Sequence, residues 1–163
     1  YNYEGPVYLR LSRLPSPVFH NADNYEFHIG KGEKLTDGFD AAIIATGLMT
    51  GEALRAAVLA KRQGISVRVI NMPTIKPLDE EIVLTAAREC HNIITVEEHN
   101  IIGGLGEAVC SLLSEKMPTP VRRIGVQDKF GHSGPAAEVL RDYGLTAENI
   151  AAAVRDMVYP GTV

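Results

Sequence analysis

Ala41-Ala42-Ile43-Ile44-Ala45 is the stretch that decides the fold. It is a continuous apolar run, five residues long, with a turn signal at Asp37-Gly38 before it and Thr46-Gly47 after it. A strand with one wet face alternates apolar and polar residues, whereas an unbroken run suits a strand buried on both faces. Such strands belong to parallel sheets sandwiched between helices. The chain that follows agrees. Gly51 to Gly64 reads as a helix with Ala53, Leu54, Ala57 and Val58 on one face, late cations favouring its dipole, and Gly64 as its stop. Val67-Arg68-Val69-Ile70 reads as the next strand. Asp79 to Glu89 reads as a helix, with Pro77 ahead of it and Asp79 as its cap.

The unit continues. Ile93-Ile94-Thr95-Val96 is a strand, and a helix from about Gly104 to Lys116 carries the stripe Leu105, Val109, Leu112 and Leu113. Val121 to Gly125 is a further strand. Two helices follow, Pro135 to Asp142 and Thr146 to Met157, with Ser133 and Thr146 as expected N-caps and Gly144 as a stop between them. Strands about 25–30 residues apart with helices between them are the pattern of βαβ crossovers, because parallel neighbours need a long return path. Working backwards, Gly30-Lys31-Gly32-Glu33-Lys34-Leu35 reads as a short edge strand. The expected fold is α/β: a three-layer, open, mostly parallel sheet with helices on both faces and a short antiparallel edge strand.

The first residues break this order. Val7-Tyr8-Leu9-Arg10-Leu11 is rich in β-formers and opens the chain almost at once. It reads as a strand of a sheet begun elsewhere. Residues 15–28 hold Pro15, Pro17 and polar residues with no clear period, which reads as a linker.

Composition narrows the function classes. The 163 residues carry a formal charge of −4, which argues against a general electrostatic footprint for nucleic acid. No apolar run reaches membrane-spanning length. Cys90 and Cys110 fall in helical stretches without C-x-x-C spacing, so they read as small buried side chains in a reduced compartment, with the cytoplasm the expected location.

In open α/β sheets ligands meet the carboxyl ends of the strands. Of the loops there, Glu97-Glu98-His99-Asn100 is the most unusual, because Gly103-Gly104-Leu105-Gly106 then opens a helix. A carboxylate can orient an imidazole for acid–base or metal chemistry. Adjacent residues of an extended chain point to opposite sides, so at most two of Glu97, Glu98 and His99 face one place. The plainer reading is a polar strand exit bonded to loops or to a partner domain. Gly103, Gly104 and Gly106 allow either an anion at a helix start or close helix–sheet packing; the dinucleotide G-x-G-x-x-G pattern and the P-loop Lys are missing, and the carboxylates upstream oppose phosphate. The remaining histidines lack metal-site spacing, and there is no G-x-S-x-G elbow. Arg10 and Arg13 can hold a phosphate in bidentate fashion or stand solvated beside the linker; spacing does not choose.

A family resemblance adds to this reading. Gly5-Pro6-Val7-Tyr8-Leu9-Arg10-Leu11-Ser12-Arg13 resembles the segment that ends the pyrimidine-binding domain of transketolases. Ile29-Gly30-Lys31-Gly32, Ile43 to Gly47, Ile75-Lys76-Pro77-Leu78-Asp79, Val96 through Gly106, Asp128 to Gly134 and Tyr143-Gly144-Leu145-Thr146 resemble the carboxy-terminal domain in order and spacing. The likeness is strongest to the carboxy-terminal subunit of split transketolases.

The resemblance implies three regions: residues 1–14 as the terminal strand of a truncated pyrimidine-binding domain, 15–28 as an interdomain linker, and 29–163 as the transketolase carboxy-terminal domain. It implies a glycolaldehyde-transferring parent enzyme of carbohydrate metabolism and the pentose phosphate pathway, moving a two-carbon ketol unit between sugar phosphates with thiamine diphosphate and Mg2+ or Ca2+. It implies an amino-terminal transketolase subunit or domain as partner, a homo-oligomer, and no nucleic acid or membrane. The glutamate that activates the cofactor and the metal-binding motif belong to parts absent from this sequence, so neither catalytic residues nor bound cofactor or metal are expected here, and the domain is expected to serve assembly. Arg13 matches the arginine that holds the substrate's phosphate. Arg10 matches the first arginine of the Arg-Tyr-Pro-Arg segment in deoxyxylulose-phosphate synthases, but the Ser12-Arg13 ending favours transketolase. A deoxyxylulose-phosphate synthase, the β subunit of a 2-oxo acid dehydrogenase, and a stand-alone regulatory domain using the Glu97–Gly106 loop are the alternatives.

Overall fold

The structure, a computed structural model, describes residues 2–12, 15–21, 23 and 25–161. Five strands form one sheet: β1 (Glu33–Thr36), β2 (Ala41–Ala45), β3 (Val67–Asn71), β4 (Ile93–Asn100) and β5 (Val121–Val126), in the order β1-β3-β2-β4-β5. β1 runs antiparallel to β3, and the other pairings are parallel. The helices are α1 (Met49–Lys61), α2 (Glu80–Cys90), α3 (Leu105–Lys116), α4 (Ala136–Asp142) and α5 (Ala147–Val158).

β2 is central, and its five residues are wholly buried. Its alternating side chains feed two cores. Ala41, Ile43 and Ala45 pack with α1 and α5, and Ala42 and Ile44 pack with α2 and α3. This is the three-layer arrangement expected from the apolar run.

Local chemistry sets the boundaries. Asp79 caps α2, its Oδ1 accepting from Ile82 N at 3.2 Å, and Thr146 caps α5 by accepting from Asn149 N at 3.3 Å. The other carboxylate oxygen of Asp79, Oδ2, accepts from Gly32 N at 3.0 Å, while Thr74 Oγ1 accepts from Gly30 N at 2.9 Å. The Ile29–Gly32 and Ile75–Asp79 motifs are therefore two halves of one contact that leads the chain into β1.

Several expectations need correction. Ser133 does not cap α4; the N-cap is Pro135, with no side-chain cap bond. α1 begins at Met49, two residues before the expected start, and its buried face is Ala53, Ala56 and Ala60, while Val58 stays 55% exposed. An alanine face lets α1 lie close to the sheet and to α5. β4 runs on to Asn100 instead of ending at Val96, because β5 continues beside it, with Asn100 opposite Val126 after a register shift. Residues 7–11, expected as a strand of a sheet begun elsewhere, pair with no strand among the described residues, and Tyr8 is 89% exposed.

Candidate functional site

The strand order reverses between β2 and β4, so the crevice where such sheets take ligands lies between their carboxyl ends, flanked by the starts of α1 and α3. A helix start offers free N–H groups and a partial positive charge. Both starts are already covered by this chain itself.

At α3 the covering group is Glu97. Its position on β4 turns the side chain to the α3 face, like Ile93 and Thr95, and it is 1% exposed. One carboxylate oxygen accepts from Leu105 N and the other from Gly106 N, each at 2.7 Å. The carboxylate thus satisfies two of the unpaired donors of the helix and sits at its positive end. Gly104 is what permits the approach: a Cβ there would stand 2.0 Å from Glu97 Oε2. Gly103 supplies the left-handed turn at φ 77° that leads into the helix, and Glu107 reaches back to its N–H at 2.9 Å. The glycines therefore serve close packing around an internal carboxylate, and the donors of Leu105 and Gly106 are taken.

His99 shares the face of Glu97, as alternation requires, but Nδ1 lies 3.9 Å from Oε2 and only 2.7 Å from the carbonyl of Asn100. Glu98, between them on the strand, alternates to the other face and is half-buried. Only two of the three residues are brought together, and their carboxylate is committed to the helix. The strand exit is tied further by Asn100, whose Nδ2 donates to Asp128 Oδ1 at 2.9 Å.

At α1 the cover is Pro17. A Cβ on Gly51, in the first turn, would stand 3.0 Å from Pro17 Cγ, so Pro17 lies on the helix start. Behind it, Thr50 Oγ1 donates to Asn71 Oδ1 at 3.1 Å in the interior. The same segment is held again where His20 stacks on Tyr25 at 3.8 Å and meets Glu33 Oε2 at 3.3 Å. Neither of these contacts is legible from spacing.

Two surface hollows, of about 290 and 500 Å3, lie elsewhere: one beside β5 and α5 near Arg122 and Asp156, the other between α1 and α4 near Arg55 and Arg141. Among the described residues no group of three or more His, Cys, Asp or Glu can hold a metal ion. Burial pushes the thiols of Cys90 and Cys110 up, which keeps them protonated and poorly nucleophilic. Among the described residues no helix is long and apolar enough to cross a membrane. Arg13 lies outside the described residues.

Comparison with known proteins agrees with this geometry. A family model described as the transketolase C-terminal domain matches residues 30–150. A 6-deoxy-6-sulfo-D-fructose transketolase subunit, SqwH, of Clostridium sp. (strain MSTE9) is 43% identical over 155 residues, which are 95% of this chain and 48% of the relative. A putative transketolase C-terminal section of Methanocaldococcus jannaschii is 45% identical over 156 residues, 94% of this chain and 48% of that protein. The chain thus spans about half the length of these curated relatives. A solved split-gene transketolase, an inactive beta4 tetramer, superposes with a TM-score of 0.91 at 45% identity, covering 96% of this chain and 51% of that one. With the fold, the motif order and the family match in agreement, this chain belongs to the transketolase C-terminal domain family.

Proposed function

We propose that this chain is the carboxy-terminal part of a thiamine diphosphate-dependent transketolase, acting in the cytoplasm to move a two-carbon ketol unit between sugar phosphates, and that its own contribution is assembly. The observation that carries this reading is the self-filled crevice. The buried carboxylate at the carboxyl edge, Glu97, is bonded through both oxygens to the start of α3. A group so held is not free to move a proton to or from a substrate.

The residues present do not fit the family's cofactor. A diphosphate suits a helix start, but α3 already holds a carboxylate and α1 lies under Pro17. No described cluster fits Mg2+ or Ca2+. Under this reading cofactor and metal belong to an amino-terminal transketolase subunit or domain and to the rest of a pyrimidine-binding domain, of which residues 1–14 are the last strand and 15–28 the linker. The beta4 tetramer of the solved relative is described as inactive, which supports the same division of labour and a homo-oligomeric assembly here. The Glu97–Gly106 loop, with His99 exposed and Glu98 half-buried, serves as an interface. Arg13 is the one substrate contact, holding the phosphate of the sugar.

Calorimetry with thiamine diphosphate and Mg2+ tests the division. The chain alone should give no specific heat, whereas a micromolar site would overturn it. In the complete enzyme, Arg13→Ala should raise KM for phosphorylated acceptors and leave unphosphorylated ones unchanged; an equal effect on both would remove the phosphate role.

A further inference from the structure

Residues 15–18 are exposed, but Phe19 and His20 after them are half-buried. The chain folds back on this pair. Asn21 closes a turn, its Oδ1 accepting from Asp23 N at 3.1 Å and its carbonyl accepting from Tyr25 N at 3.0 Å. The turn lays the Tyr25 ring on the His20 ring, with centroids 3.8 Å apart and planes at 23°, while Phe19 flanks the imidazole at 4.4 Å. The imidazole is held in one orientation, with Nδ1 3.3 Å from Glu33 Oε2 at the start of β1. That oxygen is shielded from solvent and makes no hydrogen bond among the described residues. The imidazole is therefore what answers its charge, and since a carboxylate only accepts, Nδ1 carries the proton. Burial, and then the Glu33 charge, push the phenol of Tyr25 up, which agrees with a carboxylate set close against the stack.

The chain is fixed on both sides of this cluster. Downstream, Gly30 N and Gly32 N donate to Thr74 Oγ1 and Asp79 Oδ2. Upstream, Pro17 packs over Gly51 in the first turn of α1. Pro17 and His20 are three residues apart, a reach of no more than about 11 Å, so what holds one limits the other. We propose that Phe19, His20 and Tyr25 form a latch that fastens on Glu33, and that the latch keeps Pro17 strapped over the start of α1. Fastened, the strap covers the α1 side of the crevice at the carboxyl ends of β2 and β4; released, it uncovers it. The device is built from this chain's own residues and depends neither on the partner nor on the substrate.

Proton NMR and limited chymotrypsin cleavage of the full chain test this. The wild-type chain should show cross-relaxation between the His20 and Tyr25 rings and between Pro17 and Gly51, with slow cleavage after Tyr25. His20→Ala should speed that cleavage about tenfold and remove the Pro17–Gly51 contact, while the urea midpoint of the domain hardly moves, because a local opening is not global unfolding. Glu33→Ala should do the same, and the double variant should be no worse than either single one; losses that add in full would overturn the latch. His20→Phe keeps a ring to stack but no donor. It should behave like His20→Ala, and wild-type behaviour would show that Glu33 is not the fastening point. A Pro17–Gly51 contact that survives His20→Ala would show a strap held without the latch, and fast cleavage of the wild-type chain would show a free segment; either result overturns the proposal.

Discussion

Val7–Leu11 and Ala41–Ala45 are both short runs of strand-forming or apolar residues, and they end in opposite states. Ile43 and Ile44 are 0% exposed, whereas Tyr8, Leu9 and Leu11 are 89%, 74% and 77% exposed. The difference lies in their neighbours. β2 has β3 and β4 on its edges and helices over both faces. Residues 7–11 have the hydrogen bond from Arg10 to the carbonyl of Glu98 and no paired strand among the described residues. Burial belongs to the partner as much as to the run. Under the proposed reading, its partner is the remainder of a pyrimidine-binding domain.

Substitutions can break this contrast from either side. The largest effect is expected from Ile44→Asp. A carboxylate in the core beneath α2 and α3 has no partner, and the loss should exceed about 4 kcal/mol, enough to abolish the cooperative thermal transition. Gly104→Ala comes next. Its Cβ would meet Glu97 Oε2 at 2.0 Å, so either the carboxylate or the helix start must move. Urea unfolding should show a loss of about 2–3 kcal/mol. Leu9→Ser should leave this chain's stability within about 0.5 kcal/mol, since the side chain packs on little, yet it should weaken docking of the partner domain measured by co-purification. A large stability loss at Leu9 would mean that the run is already part of this domain's core.

The smallest effect is one of pH. Burial raises the pKa of Cys90, whose Sγ donates to the carbonyl of Gly38 at 3.4 Å. In the unfolded chain the thiol ionises near its ordinary value of about 8.5. Above that pH the unfolded state releases a proton that the folded state keeps. Stability should therefore fall as pH rises from the unfolded value toward the raised folded one. Cys90→Ala should flatten part of the fall in urea midpoint between about pH 8 and 10, with Cys110 contributing the same sign from its own raised pKa.

Much of this fold is legible from residue order. The run at 41–45, the stripe of Leu105, Val109, Leu112 and Leu113, and the caps at Asp79 and Thr146 each carry a local signal that the structure repeats. Misses arise where the deciding partner is distant. β4 reads as ending at Val96 because polar residues follow, but β5 carries the pairing on to Asn100. The exposed Val58 reads as a face residue because the α1 pattern is nearly apolar all round, and contact with α5 chooses the alanines. At the site, alternation correctly pairs Glu97 with His99 and excludes Glu98. It gives no hint that Glu97 is buried, since its two donors belong to a helix that begins only eight residues later. The hydrogen bond from Arg10 to the carbonyl of Glu98 spans too much chain to be inferred from spacing.

Under the proposed reading, residues 7–11 pair with a partner domain, whereas the sheet and its helices already bury their own two cores. Amide hydrogen exchange over that stretch, in this chain alone and in the assembled parent enzyme, tests it most directly. Exchange should be nearly unprotected in the chain and slowed about a hundredfold or more in the assembly, as for amides entering a paired strand. Equal exchange in both, or strong protection in the chain alone, would contradict the account.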